Sequence, residues 1–580
     1  MPVDPVNIAY FSMEIALDRA LPTYSGGLGV LAGDTLRSAA DLALPMAAVT
    51  LLYRKGYFEQ QLGARGEQIE RPVEWRPESM PDLLEPMEPR VSVSIEGRDV
   101  QIRAWRYVVR GVKGHQVPVF LLDSDVPENR EWDRTLTDAL YGGDNFYRLC
   151  QETILGIGGA QMLRALGIAS AETRYHINEG HAALLTLDLL ERRLGGRGPW
   201  DVTEDDLNAV RRQCIFTTHT PVPAGHDRFP LDTTRQVLGA ERMQLLESAH
   251  LLHDGALNMT RLALRLSVYV NGVARRHQEV SREMFPEYQI EAVTNGVHAG
   301  TWTAPSFQAL FDRHIPRWRY DNLYIRYAST IPLDEIRDAH VAAKRELIDE
   351  VRRRSGVLLE PSVMTIGFAR RATPYKRADL IFSDLDRLRR IVRRVGPLQI
   401  VYAGKAHPHD EWGKVLIQRI FEASQALGNE LRVVYLPNYD LELGARLTAG
   451  SDLWLNNPLR PLEASGTSGM KAALNGVPSL SILDGWWIEG CVEGVTGWAI
   501  GEDQSLPVDP SHDIGELYLK LERVIVPLFY GMPYRYAEVM RNAIAINGSY
   551  FNTQRMVMQY VRDAYFPAGG LPVSMTAVEV

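Results

Sequence analysis

Several stretches of the sequence set chemically capable side chains beside glycine or proline. Near the N-terminus, Tyr24-Ser25-Gly26-Gly27-Leu28-Gly29 leads through Gly33-Asp34 into an amphipathic helix pattern. Glycines let backbone N–H groups approach an anion, and the helix dipole adds favourable potential. A plain tight turn reads equally well. A dinucleotide fingerprint is incomplete, because Ala32 stands where a third glycine is needed. Further on, Arg370-Arg371-Ala372-Thr373-Pro374-Tyr375-Lys376-Arg377 follows the apolar run Val363–Phe368. Cations at the end of a strand can clamp a phosphate, Arg as a fork and Lys as a point charge; elsewhere such a run is a solvated face.

A third stretch runs Glu463-Ala464-Ser465-Gly466-Thr467-Ser468-Gly469-Met470-Lys471. Thr467 is expected to cap a helix starting at Ser468, with Gly476 closing it. The small residues before it leave backbone donors for an anion. Lys471 in the first turn opposes the dipole, which favours a lowered pKa and Schiff-base chemistry. A surface lysine on a capped helix is the plain alternative. Glu463 could accept hydrogen bonds from sugar hydroxyls. His181, His219, Asn295, His298 and Trp302 follow candidate strands and suit polar sugar contacts or simple loop bonding. His219 and His226 match no common zinc spacing, so no metal is expected. Trp486-Trp487 reads as sugar stacking or as buried packing.

These residues need elements to hold them. Apolar runs at Asn7–Phe11, Ala47–Tyr53, Val117–Leu122, Arg174–Ile177, Cys214–Thr218, Val363–Phe368, Gln399–Ala403, Arg432–Leu436 and Ser479–Leu483 read as strands. Helical periodicity fills Gly33–Leu44, Asp144–Leu166, Ala182–Leu190 and Ala378–Val395. Alternation of this kind predicts α/β domains with parallel sheets covered on both faces. A composition break at Thr301–Tyr320 divides the chain into 1–305 and 306–580, with the last helices packing back towards the N-terminal half.

Composition excludes several classes. The 580 residues carry 63 Lys+Arg against 72 Asp+Glu, with 45% hydrophobic residues, so neither disorder nor a basic nucleic-acid footprint is indicated. Three separated cysteines make no disulfide framework. The N-terminus lacks a signal-peptide pattern and no run is long enough to span a membrane, which predicts a cytoplasmic protein.

Together, EASGTSGMKAALNG, ARRATPYKR, VTNGVHAGTW, TTHTPVP, NEGHAALL and YSGGLGVLAGD resemble the α-glucan (glycogen/maltodextrin) phosphorylases of glycosyltransferase family 35, in their short bacterial form. The resemblance implies a GT-B architecture, two Rossmann-like doubly wound domains with an interdomain active-site cleft. It implies pyridoxal 5'-phosphate on Lys471, whose phosphate serves as an acid–base group. The reaction implied is phosphorolysis of terminal α-1,4-linked glucosyl units to α-D-glucose 1-phosphate with retention. The partners are then glucan and inorganic phosphate, with a possible homodimer. By motif position, Arg371 and Lys376 match substrate-phosphate ligands, assisted by the loop Gly26, Gly27 and Leu28. His219, Asn295, Glu463, Ala464, Ser465 and Gly466 match positions holding the glucosyl unit, with His181 beside them. Gly466, Thr467, Ser468 and Arg370 match the cradle of the cofactor phosphate. Asn145 falls in a segment resembling a mobile entrance loop. Larger regulated relatives carry Lys at position 370 and Arg at position 440, where this chain has Arg370 and Asp440. Their regulatory extension is missing, so that regulation is not expected. The alternatives are a nucleotide-sugar-dependent glucosyltransferase of glycogen synthase type and a catalytically silent glucan binder; neither has use for Lys471.

Overall fold

In the computed structural model, which describes residues 6–501 and 510–567, the chain forms two α/β units. One comprises Met1–Tyr57, Pro72–Val293 and Met556–Val580; the other comprises Phe58–Arg71 and Thr294–Arg555.

The first unit is built on a ten-stranded sheet. Its order is Glu291–Ala292, Tyr269–Gly272, Cys214–Thr217, Ala169–Asn178, Val6–Ser12, Met46–Leu51, Gln116–Asp123, Arg98–Arg110 and Glu85–Pro86, with Val91–Ile95 also paired to Arg98–Arg110. Pairing is parallel as far as Gln116–Asp123 and antiparallel beyond it. Val6–Ser12, Met46–Leu51 and Gln116–Asp123 are buried almost throughout, as strands covered on both faces must be. Strand order reverses between Val6–Ser12 and Ala169–Asn178. Ligands in doubly wound sheets bind beyond the carboxyl ends at such a point. Here those ends lead to Glu14 and to Asn178-Glu179-Gly180-His181.

The second unit has six parallel strands in the order Arg432–Leu436, Leu398–Ala403, Met364–Ala369, Leu453–Asn456, Ser479–Ile482, Gly497–Ile500. Its order reverses between Met364–Ala369 and Leu453–Asn456. The same rule therefore singles out the loops starting at Arg370 and Asn457.

Each strand expected from the sequence is present with ends shifted by at most two residues, except that the strand expected at Arg174–Ile177 starts five residues earlier, at Ala169. Helices differ more. Of the glycines read as a loop, Gly26 stands at the cap position of the helix Gly27–Asp41 and the others lie inside it. A Cβ on Gly33 would come within 2.1 Å of the Ala16 carbonyl oxygen, so this glycine serves close packing rather than a turn. The periodic stretch 144–166 is interrupted by a π-turn at Ile154–Gly158. The stretch 378–395 yields a helix only from Leu385, because Asp384 caps it by accepting the Arg387 N–H at 2.8 Å.

Two segments join units distant from them in sequence. The hairpin Glu59–Leu62/Gln68–Arg71 belongs to the second unit. Gln60 Nε2 donates to the Gly404 carbonyl at 2.9 Å, and Gln60 and Asn438 exchange two further bonds. The segment from Met556 belongs to the first unit. There the Tyr560 hydroxyl meets Thr217 Oγ1 at 3.0 Å and Asn271 Nδ2 at 2.9 Å, and Tyr565 meets His176 at 2.6 Å.

Candidate active site

In the first unit, Glu14 organises the glycine loop. Its Oε2 accepts the Ser25 and Gly26 N–H groups at 2.5 and 3.0 Å, and its Oε1 accepts the Tyr141 hydroxyl at 2.9 Å. The expected anion loop thus spends the Gly26 donor on an internal carboxylate. Gly27 opens the helix with open space around its Cα, and Leu28 beside it is half-buried.

His219 is fixed from two sides. Its Nε2–H donates to Asn178 Oδ1 at 2.7 Å, while its backbone N–H donates to Glu179 Oε2 at 2.8 Å. Glu179 also accepts the Thr220 hydroxyl and the Gly180 N–H, both at 2.9 Å. Glu179 holds φ 70° and ψ 161°, a conformation of glycine rather than of glutamate, which costs about 1–3 kcal/mol. Burial pushes the His219 ring down to about 4. It is therefore a neutral hydrogen-bonding group near pH 7 rather than a proton source.

His181 lies among charges. Its Nε2 is 3.5 Å from Asp227 Oδ2, and its Nδ1 is buried without a partner among the described residues. Arg148 bonds both Glu152 Oε1 at 3.0 Å and Asp227 Oδ2 at 3.1 Å. Burial with Asp227 nearby drives the Glu152 carboxyl well above its usual range. Burial opposes ionisation of Asp227 too, but Arg148 holds it well below the ordinary value. Glu152, His181 and Asp227 each bring a ligand atom within 4.8 Å of the others. Arg148 already supplies the cation there, so the group reads as an ion-pair network. Asn145 is exposed at the start of the helix Asn145–Thr153.

In the second unit, Arg370 Nη1 and Lys376 Nζ both donate to Glu463 Oε2 at 2.5 Å. Burial alone would raise the Glu463 carboxyl, but Arg370 and Lys376 pull it down to about 2. Its backbone N–H donates to Asp484 Oδ2 at 2.9 Å. Gly485, at φ 55°, lets the Ser465 carbonyl approach so closely that a Cβ would lie 2.4 Å away. Arg377, read as part of the cation run, instead bonds the Asn457 and Pro458 carbonyls and Asp513, so it ties the loop together. Arg371 is exposed.

Lys471 sits in the helix Ser468–Leu474, only 5% exposed, with its amine 3.6 Å from the centroid of the Trp302 ring. Asn475 anchors the main chain there by donating to the Trp302 carbonyl at 2.8 Å. The expected Thr467 cap is not made: Thr467 stands at the cap position in the αR region, and its hydroxyl makes no cap bond. A helix-like backbone at that position turns the side chain away from the free N–H groups. Gly476 closes the helix at φ 68°, as expected. Arg370 Nη2 lies 3.4 Å from Ser468 Oγ, which also accepts the Trp454 indole N–H at 3.1 Å. Ser465 Oγ and Asn295 Oδ1 are buried without partners among the described residues. Ala464 is half-buried beside them. A Cβ on Gly469 would come 2.7 Å from Trp486.

These residues fit pyridoxal phosphate. They offer a buried primary amine against a flat aromatic surface, uncommitted hydroxyls and a guanidinium. Asp440 takes no part in such a cradle: it caps the helix Leu441–Gly450 through the Leu443 N–H and pairs with Arg354 at 3.0 Å. Trp486 and Trp487 are buried and packed edge-on against each other, with Trp486 also on Phe551; neither presents a sugar platform. Sequence reading leaves out Glu14, Trp454 and Asp484 and gives Glu179 and Asn475 no role beyond their motifs, because each acts through partners distant along the chain.

The sequence matches the family described as carbohydrate phosphorylase over residues 13–135 and 227–495. It is similar to a maltodextrin phosphorylase of Thermococcus litoralis, 40% identical over 97% of this chain and 70% of that protein. It is also similar to a glycogen phosphorylase of Mycobacterium tuberculosis, 38% identical over 97% of this chain and 71% of that protein. A glycogen phosphorylase of Aquifex aeolicus is 35% identical over 96% of this chain and 86% of its own length.

Proposed function

Because the chain belongs to the carbohydrate phosphorylase family, we propose that it cleaves terminal α-1,4-linked glucosyl units of glycogen or maltodextrin with inorganic phosphate, releasing α-D-glucose 1-phosphate with retention. The observation that carries this reading is the joining of Arg370 and Lys376 on one Glu463 oxygen, at the switch point that also bears Lys471.

Lys471, Gly466, Thr467, Ser468 and Arg370 would hold pyridoxal phosphate, whose phosphate, when bound, supplies an acid–base group. Arg371 and Lys376 hold the anionic oxygens of the attacking phosphate, as a fork and a point charge. Held so, the phosphate keeps its proton for the departing glycosidic oxygen, and one of its own oxygens then bonds C1 from the same face. Glu463, kept ionised by its two cations, also stabilises the cationic character that develops at C1. His219, His181, Asn145, Asn295, Ala464 and Ser465 are assigned to sugar hydroxyls. Neutral His219 offers ring Nδ1 as an acceptor while its other nitrogen stays on Asn178.

The test is release of glucose 1-phosphate from maltodextrin and phosphate. Glucan synthesis only from a nucleotide-sugar, by protein without bound pyridoxal phosphate, would favour the glycogen synthase alternative. No helix among the described residues is long and apolar enough to cross a membrane.

A further inference from the structure

Three neighbouring strands of the first unit set Asn178, Thr217 and Asn271 side by side in register. Tyr560 and Tyr565 join them from the end of the chain, and with His176 all six residues are buried. One carbonyl fixes the direction of the bonds among them. Asn271 Nδ2 donates to the Gly272 carbonyl at 3.0 Å, which leaves Oδ1 facing Thr217. The Thr217 hydroxyl gives its single proton to that oxygen, at 2.9 Å. Tyr560 therefore donates to Thr217 Oγ1 at 3.0 Å and accepts from Asn271 Nδ2 at 2.9 Å. Thr217, Asn271 and Tyr560 close a cycle whose bonds all run the same way round, an arrangement in which each bond polarises the next. The His176 Nε2–H takes the remaining Thr217 lone pair at 2.8 Å, and its Nδ1 accepts the Tyr565 hydroxyl at 2.6 Å. Burial holds that imidazole near 3, hence neutral, as these donor roles require.

The cycle is tied to the candidate site through the main chain. The Thr217 carbonyl accepts the Glu179 N–H at 2.9 Å, and the Asn271 carbonyl accepts the Thr218 N–H at 3.0 Å. Glu179 in turn holds the His219 N–H and the Thr220 hydroxyl. His219 follows Thr217 by two residues and rests its ring on Asn178, the neighbour of Thr217 in register. Removing the Tyr560 hydroxyl leaves a lone pair on Thr217 and an N–H on Asn271 buried and unpaired, which the strand ends relieve by shifting.

Resting on the phosphorolysis reading, we propose that Tyr560 is a positioning residue for that reaction, fixing through Thr217 and Asn271 where Glu179 and His219 stand towards the glucosyl unit. The test uses the full chain carrying its cofactor. Tyr560→Phe removes one hydroxyl and keeps the aromatic ring. It is expected to lower kcat/KM for maltodextrin roughly 10- to 100-fold, with KM for phosphate unchanged. Thr217→Val opens the same cycle from the other side and is expected to do the same, whereas the double variant loses little more than either alone. If Tyr560→Phe does not fold, Thr217→Val carries the same decision. Val557→Ala is the control for folding alone. Val557 is a fully buried core residue of the same segment, so its truncation loosens the packing while leaving every hydroxyl of the cycle in place. That variant is expected to denature earlier yet keep the parent's kcat/KM. With histidines isotopically labelled and the His219 signal assigned by its loss in His219→Gln, Tyr560→Phe is expected to shift the His219 ring nitrogens and Val557→Ala to leave them. Parent-like kcat/KM in Tyr560→Phe overturns the proposal, as does an unmoved His219 signal or an equal loss in Val557→Ala. A parent chain without phosphorolysis removes the reaction instead, and the His219 signal, which needs no turnover, then decides the positioning.

Discussion

The Lys471 amine lies 3.6 Å from the centre of the Trp302 indole, and Asn475 holds the Trp302 backbone carbonyl. Lys471→Ala is expected to purify without the near-ultraviolet absorption of bound pyridoxal phosphate, and borohydride is expected to label Lys471 in the parent chain. Trp302→Leu should keep the label but bind the cofactor about 2- to 30-fold more weakly, the range for a cation over an aromatic face. Undiminished cofactor affinity in that variant would dismiss the contact.

Arg371 and Glu463 separate phosphate binding from stability. Arg371 is exposed, so Arg371→Ala should fold, retain cofactor and raise KM for phosphate by roughly 10- to 150-fold, the range for a charged hydrogen bond. Steady-state kinetics at varied phosphate decide this.

Glu463→Gln leaves Arg370 and Lys376 buried without their counter-charge, which is expected to cost about 3–5 kcal/mol. The pH dependence has a definite sign. The Glu463 carboxyl falls from 4.5 to about 2 in the folded chain. Its contribution, about 3 kcal/mol, is fully present above pH 4.5 and is lost as pH falls towards 2. The stability gap between parent and Glu463→Gln should therefore close across that window in denaturant titrations.

Acid should reach the first unit earlier. Burial holds His176 near 3 and His219 and His277 near 4. Each ring is neutral when folded and takes a proton when unfolded below about 6.5, so stability is complete above that pH and declines as pH falls towards 4. At pH 5.5 the loss is about 1.4 kcal/mol per ring. Histidine proton titrations should show these rings neutral at pH 5.5; midpoints near 6.5 would refute the assignment.

Glu179 joins a strained backbone to a clamp on His219. Glu179→Gly should unfold about 1–2 kcal/mol later than Glu179→Ala, because glycine relieves the positive φ. Both should lose kcat/KM for glucan to a similar extent, since neither retains the carboxylate. Recovery of kcat/KM by glycine alone would assign Glu179 to backbone geometry only.

Much of this was legible in the sequence for physical reasons. Parallel strands buried on both faces, such as Met364–Ala369, read as continuous apolar runs, and their ends delivered Arg370, Lys376 and Glu463 to one place. What stayed hidden depends on contacts between distant residues. Arg377 looks like a fourth clamp cation until Asp513 is seen beside it. Gly27 and Gly29 look like loop, yet they open the helix Gly27–Asp41. The long antiparallel strand Arg98–Arg110 pairs with neighbours on either side, and its polar, half-exposed alternation gives no apolar run to recognise.

The tyrosines on Thr217, Asn271 and His176 carry a consequence for synthesis. The first unit's sheet is complete in sequence by Ala292, yet Tyr560 and Tyr565 bond into it. A ribosome making this chain must translate all of 294–555 before those hydroxyls exist, a wait on the order of tens of seconds at about 5–20 residues per second. Until then the nascent unit keeps an apolar seam open, which makes the interval before chain release its most aggregation-prone stage.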